Sequence, residues 1–127
     1  MLYRYQKHYT REEARALLPE VRLWLKRINV LRETLEKYEQ RVQALMAERD
    51  DVGGESVNSL VRTLVEIRDV LREFQKRDIQ IKDLSRGLID FPAIIAGKEV
   101  FLCWEDGEED IEFWHDLDTG YAGREPL

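Results

Sequence analysis

The sequence has very little cysteine and lacks any long apolar segment. Its single cysteine, Cys103, excludes an internal disulfide and favours a reducing compartment. The longest uncharged apolar run, FPAIIAG, is far shorter than the ~20 residues that a membrane-spanning helix needs. The N-terminal stretch MLYRYQKHYT has no apolar core of a signal peptide. These absences predict a soluble, cytoplasmic protein that does not enter a membrane.

Recognisable catalytic motifs are also absent. The chain contains no glycine-rich phosphate loop, no G-x-S-x-G and no H-E-x-x-H, and it has only 2 histidines. Nucleotide hydrolases of the P-loop class, α/β-hydrolases and zinc proteases of the H-E-x-x-H class are therefore excluded. Paired carboxylates remain possible, because the chain holds many acids and their spacing cannot select a pair.

Positive charge is scarce in the C-terminal part of the chain. The net charge is −6, and residues 79–127 hold 4 Lys/Arg against 12 Asp/Glu. An acidic segment repels a phosphate backbone. The basic residues of the N-terminal part alternate with glutamates, as surface ion pairs of helices do. We therefore predict no nucleic-acid partner.

Regular helical patterning dominates residues 10–78. Thr10 and Glu13 have the spacing of a capping box and predict a helix from about Arg11. Pro19 should kink this helix, or separate two helices that meet near Leu18. The apolar residues that follow are spaced alternately four and three apart, which is a heptad pattern: Leu17, Val21, Trp24, Ile28, Leu31, Leu35, Tyr38, Val42 and Leu45.

A second apolar series of the same spacing follows a glycine break. Gly53 and Gly54 interrupt the first series, and the short break predicts that two helices fold back as an antiparallel hairpin. A two-helix hairpin has little core, so we expect a homodimer that pairs through the hairpins. The residues of the second series are Val57, Leu60, Leu64, Ile67, Leu71 and Phe74.

The segment from residue 79 loses the helical period. Its run AGKEVFLCWEDGEEDIEFWHD predicts a β-hairpin whose turn is Asp106-Gly107, and this turn pairs Cys103 with Asp110. Because side chains alternate along a strand, the register places His115 and Cys103 on opposite faces, which argues against a catalytic pair. The same register assigns the core face to Val100, Leu102, Ile111 and Phe113.

The predicted fold is a single α+β domain over residues 1–127, and it is mainly helical. The alternating segment 1–9 is a short strand, residues 10–78 form the kinked helix and the long antiparallel, coiled-coil-like helical hairpin, and residues 79–127 form a small antiparallel sheet with C-terminal loops.

A group of charged and aromatic side chains lies in or beside the C-terminal loops and could form a recognition surface. Alternatively, Arg86 and Arg124 pair with nearby acids and simply fix the loops. The candidate residues for binding a ligand or partner are Asp83, Arg86, Asp90, Trp104, Trp114, His115, Asp116, Tyr121 and Arg124.

Two segments of the chain resemble a bacterial family catalogued as domain of unknown function 2203. They are TREEARALLPEVR and KDLSRGLIDFPAIIAGKEVFLCWEDGEEDIEFWHDLDTGYAGREPL, and together they cover almost half of the chain. The resemblance implies a long helical hairpin with a compact C-terminal region. It implies no activity, ligand or catalytic residue.

Two functional hypotheses remain open. The first is a non-enzymatic, dimeric interaction module whose C-terminal loops bind an unknown protein or small molecule. The second is a small metal-dependent hydrolase that uses His115, Asp116 and Asp90. We favour the first hypothesis, and with it we assign no catalytic residue, no metal ion and no cofactor.

Overall fold

The computed structural model describes residues 2–48 and 54–127. The mainly helical α+β class predicted from the sequence is confirmed. Gly53, half of the predicted glycine break, lies outside the described residues, and Gly54 precedes the second helix with a φ of 86°. The elements are α1 (Arg11–Ala47), α2 (Glu55–Gln75), β1 (Gln80–Asp83), β2 (Leu88–Ile95), β3 (Lys98–Glu105), β4 (Phe113–Asp116), a 3₁₀ turn (Tyr121–Gly123) and β5 (Glu125–Pro126).

Helix α1 begins with the predicted capping box. The Thr10 amide donates to Glu13 Oε1 over 3.0 Å, and the Glu13 amide donates to Thr10 Oγ1 over 3.1 Å. These two bonds satisfy amides that the first helical turn leaves without carbonyl partners. They also hold the pKa of Glu13 below its usual value, because the carboxylate accepts the Thr10 amide.

Helix α1 continues through Pro19 as one element, so the alternative of two separate helices is wrong. Pro19 lies on an exposed face of the helix. The carbonyl that loses its amide donor there can bond to water, which makes the proline tolerable inside the helix.

The chain divides into two compact units. One unit combines Met1–Leu23 with Phe74–Leu127, and the other is the helical unit Trp24–Glu73. The first unit contains the sheet and all nine candidate residues, and we call it the sheet unit.

In the helical unit, the α1 heptad residues Ile28 and Leu31 are 0% and 4% exposed. The other heptad residues of α1 in this unit are half-buried: Trp24, Leu35, Tyr38, Val42 and Leu45. Helix α2 differs: Thr63 is 6% exposed, while its heptad neighbour Leu64 is 48% exposed. The Thr63 hydroxyl donates to the Ser59 carbonyl over 2.8 Å, so its burial leaves no polar atom unsatisfied. The predicted position of Leu64 in the buried contact of the hairpin is therefore wrong, because Thr63 and not Leu64 is the buried side chain there.

The sheet unit contains a five-stranded antiparallel meander in the order β1-β2-β3-β4-β5. Its two-residue turn is Ala96-Gly97, between β2 and β3, and both residues have positive φ, 51° and 79°. Positive φ at both central residues is the geometry of the primed turns that match the twist of a hairpin.

Strand β2 includes Pro92, a residue that cannot donate a backbone hydrogen bond. The Pro92 carbonyl accepts the Tyr9 amide over 2.7 Å, on the side of β2 away from β3. Because N and O of one residue point to the same side of a strand, the missing amide hydrogen also faces that side. It costs no hydrogen bond to β3, which explains a proline in an inner strand.

The predicted register of the β3 hairpin is wrong by three residues. Strand β3 pairs with β4 so that Cys103 lies opposite Phe113, not Asp110. The intervening segment is a seven-residue loop, residues 106–112, instead of a two-residue turn. Asp110 accepts both Arg15 Nε (2.8 Å) and Arg15 Nη2 (2.9 Å), and Ile111 is fully buried. These contacts stabilise the loop and delay the start of β4.

An odd shift in register moves every side chain of β4 to the other face of the sheet. His115 therefore lies on the same face as Cys103, contrary to the prediction. The prediction of one core face is also incomplete, because β3 buries both: Leu102 is 2% exposed and Phe101 is 0% exposed. The Tyr5 ring packs against the Phe101 ring with centroids 5.4 Å apart.

The N-terminal segment forms no strand over its described residues 2–9, so that prediction is wrong. The amides of residues 4–7 bond to side chains, while the Tyr9 amide bonds to the Pro92 carbonyl of β2. Glu99 accepts the amides of Arg4 (2.8 Å) and Tyr5 (3.0 Å), and Asp78 accepts the next two amides along the chain. Alternating tyrosines imitate a strand pattern, but carboxylates bind this backbone.

Neither helix of the described chain has a stretch both long and apolar enough to cross a bilayer.

Candidate functional site: a buried Asp–Cys–His cluster

Three neighbouring strands bring Asp90, Cys103 and His115 together. Asp90 in β2 lies opposite Cys103 in β3, and His115 in β4 lies opposite Phe101, two residues from Cys103. The three side chains therefore share one face of the sheet. One potential ligand atom from each lies within 4.8 Å of the other two. We call this group the Asp–Cys–His cluster.

The cluster is inaccessible to solvent. Asp90 and His115 are each 1% exposed, and Cys103 is 0% exposed. A buried carboxylate and imidazole are costly unless they are paired. Here His115 Nε2 lies 3.0 Å from Asp90 Oδ2.

Both nitrogens of the His115 ring have partners. Nδ1 lies 2.6 Å from the Asp116 carbonyl oxygen, which only accepts, so Nδ1 carries the hydrogen and Nε2 faces Asp90. Burial favours the neutral ring, but the bonds to Asp90 and to the Asp116 carbonyl outweigh it and raise the pKa of His115. Neither nitrogen is available as a base toward Cys103.

Cys103 is not an activated nucleophile. Burial raises the pKa of its thiol to about 12, and nearby Asp90 adds to the rise while Arg124 opposes it. A protonated, buried thiol reacts slowly. The new register brings Cys103 and His115 to one face, yet the arrangement is not that of a cysteine–histidine catalytic pair.

The carboxylate of Asp90 has an unused acceptor. Its Oδ2 faces His115, while Oδ1 is buried without a hydrogen-bond partner among residues 2–48 and 54–127. A buried carboxylate oxygen without a donor normally costs stability. Asp90 Oδ1 can therefore accept one more hydrogen bond or bind one cation.

Asp116 does not join the cluster through its side chain. Its carboxylate lies 2.7 Å from Lys98 Nζ, and only its backbone carbonyl contacts His115. The ligand set His115, Asp116 and Asp90 considered from the sequence is thus replaced by a set in which Cys103 is the third member. The observed register of β3 and β4 identifies Cys103 as the third member of the cluster, because it places Cys103 and His115 on one face.

The remaining predicted binding residues mostly pair within the sheet unit. Arg86 Nε donates to Glu105 Oε2 over 2.8 Å, and its amide donates to Asp83 Oδ1 over 3.1 Å. Glu105 exerts the largest effect on the Arg86 guanidinium and raises its pKa. The Arg86 guanidinium also lies 4.4 Å from the centroid of the Tyr121 ring.

Arg124 lies at the centre of a second internal cluster. Its Nη2 is 2.7 Å and 2.8 Å from the two carboxylate oxygens of Glu108, and its guanidinium carbon lies 4.0 Å from the Phe113 ring centroid. Burial opposes its charge, but Glu108 outweighs burial and raises the pKa of Arg124. Sequence reasoning missed Glu108, whose carboxylate binds the Arg124 guanidinium and so connects the β3–β4 loop to the C-terminal segment.

The two tryptophans of the predicted surface differ in exposure. Trp104 is fully buried, donates from Nε1 to the Glu108 carbonyl over 2.9 Å, and has the Arg22 guanidinium 5.5 Å from its ring centroid. Trp114 is half-buried and lies opposite Leu102. A partner could contact Trp114, while Trp104 belongs to the core.

An open groove of about 420 Å³ lies elsewhere on the sheet unit. Its lining includes Lys7, Glu13 and Arg77, and it contains none of the nine predicted residues. Lys7 Nζ and Glu13 Oε2 lie 3.8 Å apart within it. The groove is separate from the Asp–Cys–His cluster.

The fold and the cluster define an α+β protein with a helical hairpin, a five-stranded meander and buried ionisable side chains. The chain belongs to the family described as uncharacterized conserved protein (DUF2203), whose model matches residues 7–127. The comparison with curated proteins and the comparison with solved structures give no match.

Proposed function

We propose that this protein is a non-catalytic assembly module that forms a homodimer through its helical unit. One observation carries the proposal. On α2, Val61, Leu64 and Val65 are 51%, 48% and 38% exposed, while the polar Thr63 is buried. We call these three residues the α2 apolar patch.

The spacing of the patch suits a helix–helix contact. Its residues lie at i, i+3 and i+4, which places them side by side on one face of α2. Contiguous exposed apolar side chains on a helix favour association, because each buried Å² of apolar surface contributes roughly 25 cal/mol.

A second copy of the same chain is the occupant we propose. An antiparallel pairing about Leu64 brings the apolar patch of one copy against the same patch of the other, as a two-fold symmetric interface requires.

The Asp–Cys–His cluster supports a structural role better than hydrolysis. A hydrolase needs a substrate to reach its catalytic groups, and each member of the cluster is at most 1% exposed. The internal pairing of Arg86 and Arg124 similarly favours loop stabilisation over ligand recognition.

Sedimentation equilibrium of wild-type protein and the Leu64→Gln variant tests the proposal. We expect wild-type protein to be a dimer at micromolar concentration. The dissociation constant of the Leu64→Gln dimer should be at least ~10-fold higher, because burying one leucine at a contact contributes ~1.5–3 kcal/mol.

Met46→Gln is the matched control, because Met46 is an apolar residue of the helical unit that is 61% exposed and outside the patch. It should dimerise like wild type. A monomeric wild-type protein, or equal weakening by both substitutions, contradicts the proposal.

A further inference from the structure

The Asp–Cys–His cluster combines donor types that few ions accept together. It offers one carboxylate oxygen, one thiol sulfur and one imidazole nitrogen within 4.8 Å of one another. Zinc accepts all three donor types, whereas calcium and magnesium take oxygen ligands. The ligand chemistry therefore points to a divalent transition metal of the zinc class.

The charge of the cluster matches a divalent ion. Metal binding releases the proton of a thiol ligand, so as ligands a carboxylate, a thiolate and a neutral imidazole together carry two negative charges. Because charge is costly in a buried region, a total of zero with a divalent cation is favourable there. The site is built from side chains that are at most 1% exposed.

The backbone prepares the histidine for coordination. The Asp116 carbonyl accepts the Nδ1 hydrogen over 2.6 Å, which directs Nε2 toward Asp90. Metal-binding histidines usually donate their other ring hydrogen to a carbonyl or carboxylate in this way, because it fixes the tautomer and the ring orientation.

The carboxylate provides an independent observation. Asp90 Oδ1 is buried without a hydrogen-bond partner among the residues that the structure describes. A hydrogen-bonded Asp90–His115 pair explains Oδ2 but not Oδ1; in the metal-free protein, the Cys103 thiol is the nearby group that can donate to this carboxylate. A cation bound to the cluster gives that oxygen a partner.

We propose that Asp90, Cys103 and His115 bind one divalent transition-metal ion of the zinc class. The ion would link β2, β3 and β4 and so stabilise the sheet. This site is independent of the α2 apolar patch and of the proposed dimer.

The test uses the full chain, because a buried site has to be filled while the protein folds. Wild-type protein is unfolded by denaturant in the presence of a chelator, freed of the chelator, refolded with one equivalent of Co²⁺ or Zn²⁺, and desalted. We expect one retained metal ion per chain by native mass spectrometry. We also expect the thiolate-to-cobalt absorption band that a cysteine ligand produces, and a higher melting temperature than that of protein refolded with chelator.

Two variants remove ligands with little change in volume, Cys103→Ser and His115→Gln. Cys103→Ser should lose the cobalt–thiolate band. Both variants should bind metal ~10–100-fold more weakly than wild type, the loss typical even for an outer partner of a metal site. His8→Gln is the matched control, because His8 is the only other histidine and contacts Glu99, outside the cluster.

Several outcomes would overturn the proposal. One is wild-type protein that refolds without retaining metal and shows no thiolate band. Another is equal metal retention and equal spectra in wild type, Cys103→Ser and His115→Gln. The wild-type spectrum decides the matter even where a variant fails to fold, and dimerisation is measured separately.

Discussion

At the scale of single residues, carboxylates decide much of the local structure. Glu13 completes the cap of α1, Glu99 binds the N-terminal segment, and Glu108 binds Arg124. The capping box was predictable because its two partners are three residues apart. The partners of Glu99 and Glu108 lie far away in sequence, so no local pattern indicates them.

Removing the α1 cap should destabilise the protein measurably. Thr10→Ala removes the acceptor for the Glu13 amide and should lower the free energy of unfolding by about 1 kcal/mol, the usual value for a cap residue. Urea denaturation monitored by circular dichroism measures the change.

Thr34→Ala is the control for this change. The Thr34 hydroxyl donates to the Val30 carbonyl inside α1, and alanine favours the helix interior, so we expect no loss of stability. A loss equal to that of Thr10→Ala would contradict the capping explanation.

Glu99 should make the N-terminal segment sensitive to acid. Burial opposes its charge, but the bonds from His8 and from the Tyr5 and Arg4 amides outweigh burial and lower its pKa from 4.5. A lowered folded-state pKa means that the stabilisation is present above pH 4.5 and is lost as the pH falls through the folded pKa.

Hydrogen exchange of the Arg4 and Tyr5 amides can follow this change. In wild type their protection should fall as the pH drops below 4.5, while in Glu99→Gln it should be low already at neutral pH. The Glu13 amide, which bonds to Thr10, serves as an internal reference. Equal protection of Arg4 and Tyr5 in both proteins at neutral pH is the result that rules out this role.

At the scale of elements, the loop between β3 and β4 determines which side chains of the two strands share a face of the sheet. Asp106-Gly107 has the composition of a tight turn, but contacts at Glu108, Asp110 and Ile111 extend the connection to residues 106–112. The resulting register places Cys103 and His115 on one face. Local turn preference therefore gives way to tertiary contacts of the loop.

The loop should be sensitive to a change at Glu108. Glu108→Gln leaves the Arg124 guanidinium, whose side chain is 10% exposed, without its anionic partner. Breaking a fully buried ion pair costs ~3–5 kcal/mol, so for this partly exposed pair we expect about 2 kcal/mol. Urea unfolding followed by tryptophan fluorescence measures it, because Trp104 bonds to the Glu108 carbonyl.

Glu109→Gln is the matched control, since Glu109 is an exposed acid in the same loop. Its substitution should change the free energy of unfolding by less than ~0.5 kcal/mol. If both variants lose the same stability, general loop charge rather than the Arg124 pair is responsible.

At the scale of the whole molecule, the acidic excess of residues 79–127 is partly neutralised within the sheet unit. Glu105 pairs with Arg86, and Asp110 pairs with Arg15. The sequence offered two explanations for Arg86 and Arg124, recognition or internal pairing. The observed contacts favour internal pairing, which also supports an assembly role over ligand binding through these loops.

The sequence by itself determined the features that depend on neighbours in the chain. The start of α1 follows from Thr10 and Glu13, and the helical hairpin follows from apolar spacing, because one turn of helix relates residues three and four apart. The family also follows from two continuous segments. Each of these needs only a short stretch of sequence.

Only the tertiary structure decided which distant side chains meet. Strand register depends on loop contacts such as Arg15 with Asp110, and a shift by an odd number of residues exchanges the two faces of a strand. The same kind of contact binds the amides of residues 4 and 5 to Glu99, in a segment where no strand forms. The Asp–Cys–His cluster thus depends on three strands in register, which no local pattern in the sequence specifies.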